Sequence, residues 1–196
     1  MGTYSDIKSR INDGTLVLPT LSIPAFQVWV GGDIDERVLE LAVLQRKACA
    51  HYTLIAPANS PLINLLVPDV FKDVDKVLEL ALSEHAQVRA YHERWSSDIE
   101  ASDIVRFYEL SKNADQVYLD MDVLLLEIPV RFTRSIVTLA DVFIMYGGSN
   151  TALFADCLAG LAPALSHNAM RGMLARSEYQ TIPPKSYFHY DRGARA

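Results

Sequence analysis

Cysteine is scarce in this chain of 196 residues: Cys49 and Cys157 are the two it has. They stand at no metal-binding spacing and in apolar, helix-like surroundings. That argues against a disulfide framework or a zinc site and for buried free thiols, as suits a reducing compartment. Long apolar runs are absent too, and none approaches the roughly 18–20 residues a membrane-spanning helix needs. The first residues, MGTYSDIKSRINDG, are polar and lack the apolar core of a secretory signal. Asp6 occupies the position where N-myristoylation needs Ser or Thr. A soluble chain is therefore expected. No cluster of Lys and Arg stands out, and the formal net charge is −6. That argues against nucleic acid binding through a basic surface, although a local pocket for one phosphate remains open. No repeat is visible, and Gly, Ser and Pro are nowhere dense enough to form a linker, so residues 1–196 read as a single domain.

What is present is an alternation of strand-like and helix-like segments. Half of the residues are hydrophobic and 21% are charged, the balance of an ordinary globular domain with enough chain to bury a core. A short helical lead-in is expected over 4–12. Phe26–Val30 (FQVWV) is a β-rich run stopped by Gly31 and Gly32. Asp33 or Asp35 can cap a helix running to about 49, with Val38, Leu41, Ala42 and Gln45 at helical spacing. His51–Ala56 (HYTLIA) is a second strand, which completes a βαβ unit of Rossmann type. The spacing of Val74, Val77, Leu78, Ala81 and Leu82 predicts an amphipathic helix over 73–86. Another helix is expected over 97–111, burying Ile104, Phe107 and Tyr108. Strands follow at 116–119 and 142–146, then a helix of small residues over 150–161 after Gly147 and Gly148. From Ser166 onward the pattern is weak and mostly loop is expected. The fold class is therefore α/β, with a mostly parallel central sheet flanked by helices.

Asp120-Met121-Asp122 places two carboxylates at i and i+2 where an apolar run, Val117-Tyr118-Leu119, ends. Side chains at that spacing share one face of a strand, and at the strand's end they can converge on a hard cation that prefers oxygen. Such a cation clamps a diphosphate. Taken alone, the same pattern equally describes two solvated aspartates. Upstream, Asp103 and Arg106 are at i and i+3 on a helix and face the same way. A guanidinium fork suits a diphosphate, yet this pair alone reads as a surface ion pair of little consequence.

Read together, SDIVRFYELSKNADQVYLDMDVLL resembles the S-D-[IL]-[LV]-R…Y-x-D-x-D segment of GT-A glycosyltransferases, and most closely the catalytic core of the large clostridial glucosylating toxins. VWVGGDIDERVLEL resembles that core's first strand and its W-[IV]-G-G turn, and ANSPLINLL the segment after its second strand. The resemblance implies a GT-A-like, Rossmann-type nucleotide-binding domain. The activity it implies is transfer of glucose or a similar hexose, with retention, from a UDP-sugar to an unknown glycan or protein. It also implies a divalent cation, Mn²⁺ or Mg²⁺. Carried over residue by residue, Trp29 stacks on the base and Asn59 contacts the nucleoside. Asp103 binds sugar hydroxyls, Arg106 the diphosphate or sugar, and Tyr118 the ribose or phosphate side. Asp120 contacts the ribose and, through water, the metal, while Asp122 ligates it directly. Asp120, Asp122 and Arg106 form the expected catalytic set, with His189 a further candidate ligand for metal or phosphate. No membrane span or nucleic acid enters this reading, and the chain would work in a cytoplasm or be delivered elsewhere as an effector.

The sequence also departs from the pattern. Asn113-Ala114-Asp115-Gln116 stands where relatives place Gly-Gly, although Asn and Asp tolerate left-handed turns. The C-terminal Ser and Trp of the toxins' donor site have no counterpart. A glycosyltransferase-like nucleotide binder without transfer activity is therefore the alternative. VYLDMDVLL superficially resembles haloacid-dehalogenase phosphatases as well, but Val123-Leu124 replaces their Gly-Thr.

Overall fold

The computed structural model describes residues 3–128, 137–138, 144–146, 148, 151–165, 169–174 and 187–190. Helix α1 (Tyr4–Asn12) starts at a capping box, in which Thr3 and Asp6 each bond the other's backbone N–H. Strand β1 (Ala25–Val28) is buried along its whole length, as a central strand covered on both faces must be. Asp35 caps α2 (Glu36–Ala48), which buries Val38, Leu41, Ala42 and Gln45 as their spacing predicts. Next come β2 (Tyr52–Ala56), the short α3 (Leu62–Leu66), β3 (Val70–Asp73), α4 (Val74–Glu84) and α5 (Ala86–Trp95). Ser97 caps α6 (Asp98–Lys112), which is sunk so deeply that Glu100, Asp103, Arg106 and Glu109 are buried with its apolar residues. The rest comprises β4 (Val117–Leu119), β5 (Val123–Leu125), β6 (Val137–Thr138), β7 (Ile144–Tyr146), α7 (Thr151–Ala159), α8 (Ala169–Leu174) and β8 (Tyr187–His189). None of the helices among the described residues is long and apolar enough to cross a membrane.

The main sheet has the order β3-β2-β1-β4-β7-β6. Its first four strands are parallel, whereas β7 runs antiparallel to β4 and β6 antiparallel to β7. This is the mostly parallel α/β architecture that the βαβ pattern implies. One face packs Phe26, Ile55 and Tyr118 against α4–α7, with Phe107 and Phe154 in edge-to-face contact at 5.6 Å. The other packs Ala25, Leu54 and Leu119 against Val38 and Ala42 of α2 and Leu62 and Leu66 of α3. The chain winds outward from β1 through β2 to β3, then returns to lay β4 on the other side of β1. The order reverses between β1 and β4, and in open α/β sheets the crevice beyond such a reversal is where ligands bind.

Three local outcomes bear on the sequence reading. Asp115 adopts the left-handed conformation (φ 57°) and donates its N–H to Gly148 O, so the turn without glycines forms as anticipated. Both cysteines are buried and free, and burial pushes the Cys157 thiol up to about 11. The tail beyond Ser166, expected to be mostly loop, contains α8 and also β8, which pairs antiparallel with β5. Strand β8 is three residues long and made by a partner more than sixty residues away, so no local periodicity announces it. The segments 142–143 and 147, and Asn150, lie outside the described residues.

Candidate active site

The carboxyl ends of β1 and β4 open into a cavity of about 310 Å³. Val28, Trp29, Val30 and Gly31 form one wall, and Asp98, Ile99, Ser102 and Arg106 of α6 another. Tyr118, Asp120, Met121 and Asp122 close the third side. Trp29 carries β1 onward by donating its backbone N–H to Ile55 O at 2.8 Å, and its indole Nε1 donates to Gly32 O at 3.0 Å. The ring is thereby fixed as a half-buried plate on the cavity wall. A side chain at Gly31 would meet Asp98 Oδ2 at 3.5 Å and the Trp29 ring at 3.7 Å, so glycine leaves this wall open.

Behind the cavity, Arg106 organises a buried polar knot. Its guanidinium pairs with Asp103 one helical turn back, and its Nη1 donates to Tyr118 Oη and to Asp120 Oδ1, each at 3.1 Å. The guanidinium carbon also lies 5.0 Å from the Tyr118 ring centroid. Tyr118 Oη donates in turn to Asp120 Oδ1. Burial holds the phenol's pKa well above its ordinary value, which keeps it a donor. The Asp120 carboxylate is thus oriented by two donors. Its backbone carbonyl accepts from Gln27 Nε2 at 3.1 Å and from Val123 N at 3.2 Å.

Asp122 is held differently. Tyr190 N donates to its carbonyl at 2.9 Å, and His189 Nε2 lies 3.7 Å from its Oδ2. The β5–β8 pairing sets Val123 opposite His189, which brings the histidine of the tail to the outer carboxylate. Among the described residues of the lining there are three carboxylates, Asp98, Asp120 and Asp122, and one guanidinium that is already paired. The lining is therefore acidic, and a diphosphate entering it meets net repulsion unless a cation accompanies it.

Trp29, Arg106, Tyr118, Asp120 and Asp122 all reach the cavity wall, and His189 stands next to Asp122. Asp103 is fully buried behind Arg106 and Asn59 is exposed in the turn after β2, and neither is among the described residues that line the cavity. Asp98, Ile99 and Ser102 were not expected to line the cavity. Stepping back from Arg106 by four residues twice gives Ser102 and Asp98, so the helical period held that signal. Among the described residues no group of three or more His, Cys, Asp or Glu is gathered to hold a metal by itself. Small hard cations at phosphate sites commonly use one or two carboxylates and take remaining ligands from substrate and water. Two carboxylates and an imidazole at the edge of an acidic cavity fit that mode.

No family model matches the sequence, and no curated protein matches it either. In three dimensions the chain is similar to a solved structure titled PaToxG Glycosyltransferase, with a TM-score of 0.54 over 87% of this chain and 77% of that one. The fold is glycosyltransferase-like. At 13% identity the likeness concerns the course of the backbone, not individual side chains.

Proposed function

We propose that this chain is a metal-dependent glycosyltransferase that moves glucose or a similar hexose, with retention, from a UDP-sugar to a glycan or protein acceptor. The observation that carries the reading is the cavity at the β1/β4 reversal, where a fixed carboxylate and a more loosely held one meet beneath a tryptophan plate. Trp29 stacks on the base, and Asp120, aimed by Arg106 and Tyr118, receives the ribose hydroxyls. Asp122, with Asp120 and His189 beside it, would hold Mn²⁺ or Mg²⁺. When bound, that ion neutralises the charge that develops on the departing diphosphate.

Breaking the anomeric C–O bond leaves positive charge on the sugar and negative charge on the diphosphate. The paired Arg106 faces the cavity and contributes electrostatic stabilisation without having to reorganise. Asp103, wholly buried and paired with Arg106, acts through that guanidinium in this reading. Catalysis is in this view positional and electrostatic, and no carboxylate nucleophile is invoked.

One observation favours the alternative, a nucleotide-binding protein without transfer. A volume of about 310 Å³ is at the small end of the roughly 300–1,000 Å³ typical of ligand pockets. Turnover separates the two. Purified protein incubated with UDP-glucose and UDP-N-acetylglucosamine in Mn²⁺ should release UDP, and Asp122→Asn should not. Metal-dependent UDP binding without release from any UDP-hexose would establish the alternative.

A further inference from the structure

Gln27 is a polar residue in β1, a strand buried along its whole length, and has no exposed surface. It lies on the same face as Ala25, among apolar side chains, where an amide is costly unless its donor and acceptor are both satisfied. Both are: Tyr52 Oη donates to Oε1 at 2.8 Å, and Nε2 donates to the carbonyl of Asp120 at 3.1 Å. The backbone explains why a side chain is needed there. The β1–β4 ladder pairs Ala25 with Val117 and Phe26 with Tyr118. Strand β1 then continues to Val28, while the other chain leaves the sheet and turns at Asp120. The Gln27 amide bridges the opening and takes the place of the next rung.

We propose that Gln27 is a positioning residue for the metal-binding turn, with Tyr52 orienting its amide. The proposal rests on the reading of Asp120 and Asp122 as the metal-binding pair. The Asp120 carboxylate is fixed by Arg106 and Tyr118, and two described groups, Gln27 Nε2 and Val123 N, donate to its carbonyl. Val123 N opens β5, directly after the turn and outside the main sheet. Gln27 belongs to the sheet, so it alone of these two ties the turn to the strand that carries Trp29. Without that tie the turn can rock against β1, and Asp122, two residues further on, loses its aim toward the cavity. Buried phenol chemistry supports the arrangement: burial holds Tyr52 protonated, so its Oη donates and the amide's N–H end is left for Asp120.

The test uses Gln27→Met, which keeps the length of the side chain and removes the amide, and Tyr52→Phe, which removes only the orienting hydroxyl. Phe154→Leu, in the α6–α7 packing, serves as a destabilised control distant from the turn. Mn²⁺ affinity is measured at saturating UDP from the paramagnetic signal of the free ion, beside a thermal melt for each variant. Gln27→Met should weaken Mn²⁺ binding by about 10–100-fold, the range found when residues supporting metal ligands are replaced. Tyr52→Phe should weaken it by less, and Phe154→Leu should leave it unchanged despite a lower Tm. Wild-type affinity in both Gln27→Met and Tyr52→Phe, or an equal loss in Phe154→Leu, would overturn the proposal. If Gln27→Met does not fold, Tyr52→Phe decides by the same criterion. A wild type that retains no Mn²⁺ in the presence of UDP would remove the metal reading and this proposal together.

Discussion

The two carboxylates of Asp120-Met121-Asp122 stand two residues apart but belong to differently built regions. The inner region, around Asp120, is a knot of Arg106, Asp103 and Tyr118 closed off from solvent, with Gln27 and Tyr52 beneath it. The outer region, around Asp122, is a two-stranded ribbon of β5 and β8, and the carboxylate has an imidazole at 3.7 Å for company. The difference does not lie in exposure, since the two side chains are 21% and 23% exposed. It lies in how many groups among the described residues aim each one. A carboxylate held by several donors is preorganised to orient a ligand. One with fewer can exchange water for metal and phosphate oxygen.

Several substitutions would break or sharpen this contrast. The largest effect is expected from Arg106→Met, which leaves Asp103 buried without its cation. Removing one member of such a pair costs about 3–5 kcal/mol, so urea unfolding should show a loss of that order. A loss below about 1 kcal/mol would mean that the inner knot is not structural. Tyr118→Phe removes one hydroxyl from the same knot, and a loss of about 1–2 kcal/mol is expected by the same measurement.

The inner region should also respond to alkali. Burial raises the pKa of Tyr118 and Tyr52, so the folded state favours their protonated forms. Their contribution to stability is full below the unfolded value near 10 and is lost as pH rises above it. Stability should therefore fall above about pH 10, and Tyr118→Phe should make that decline shallower when unfolding is followed from pH 8 to 11. The smallest effect on stability belongs to the outer region: His189→Ala should stay within about 0.5 kcal/mol of wild type. The same substitution should weaken Mn²⁺ binding in the presence of UDP, and an unchanged affinity would remove His189 from the metal's surroundings.

How much was legible in advance follows the same inner and outer division. Helix α2 could be read because Val38, Leu41, Ala42 and Gln45 repeat within a few residues, and all four are buried. Asp120 and Asp122 could be picked out as a carboxylate pair at a strand end, whereas Trp29, Tyr118 and the role of Arg106 came only from the resemblance of their segments to GT-A glycosyltransferases; all five reach the cavity wall. Strand β3 was not read, because it is an edge strand whose residues are exposed or half-buried and lack alternation. Helix α5 follows α4 across a single residue, His85, which serves both helices as a cap, and it has a polar surface. Gln27 was illegible for a different reason. In FQVWV it looks like the outward polar residue of an alternating strand, and only the placement of β4 beside β1 turns it toward Asp120. His189 reaches Asp122 through a pairing that exists only once the chain has folded.

The most direct test of the metal-dependent donor site is calorimetric titration of UDP with and without Mn²⁺, on the wild type and on Asp122→Asn. The expected result is binding by the wild type that requires Mn²⁺ and vanishes in Asp122→Asn, while both proteins melt at nearly the same temperature. Binding that ignores Mn²⁺ in both proteins, or no binding by a folded wild type with Mn²⁺ present, would contradict it and leave Asp120 and Asp122 as the end of a strand.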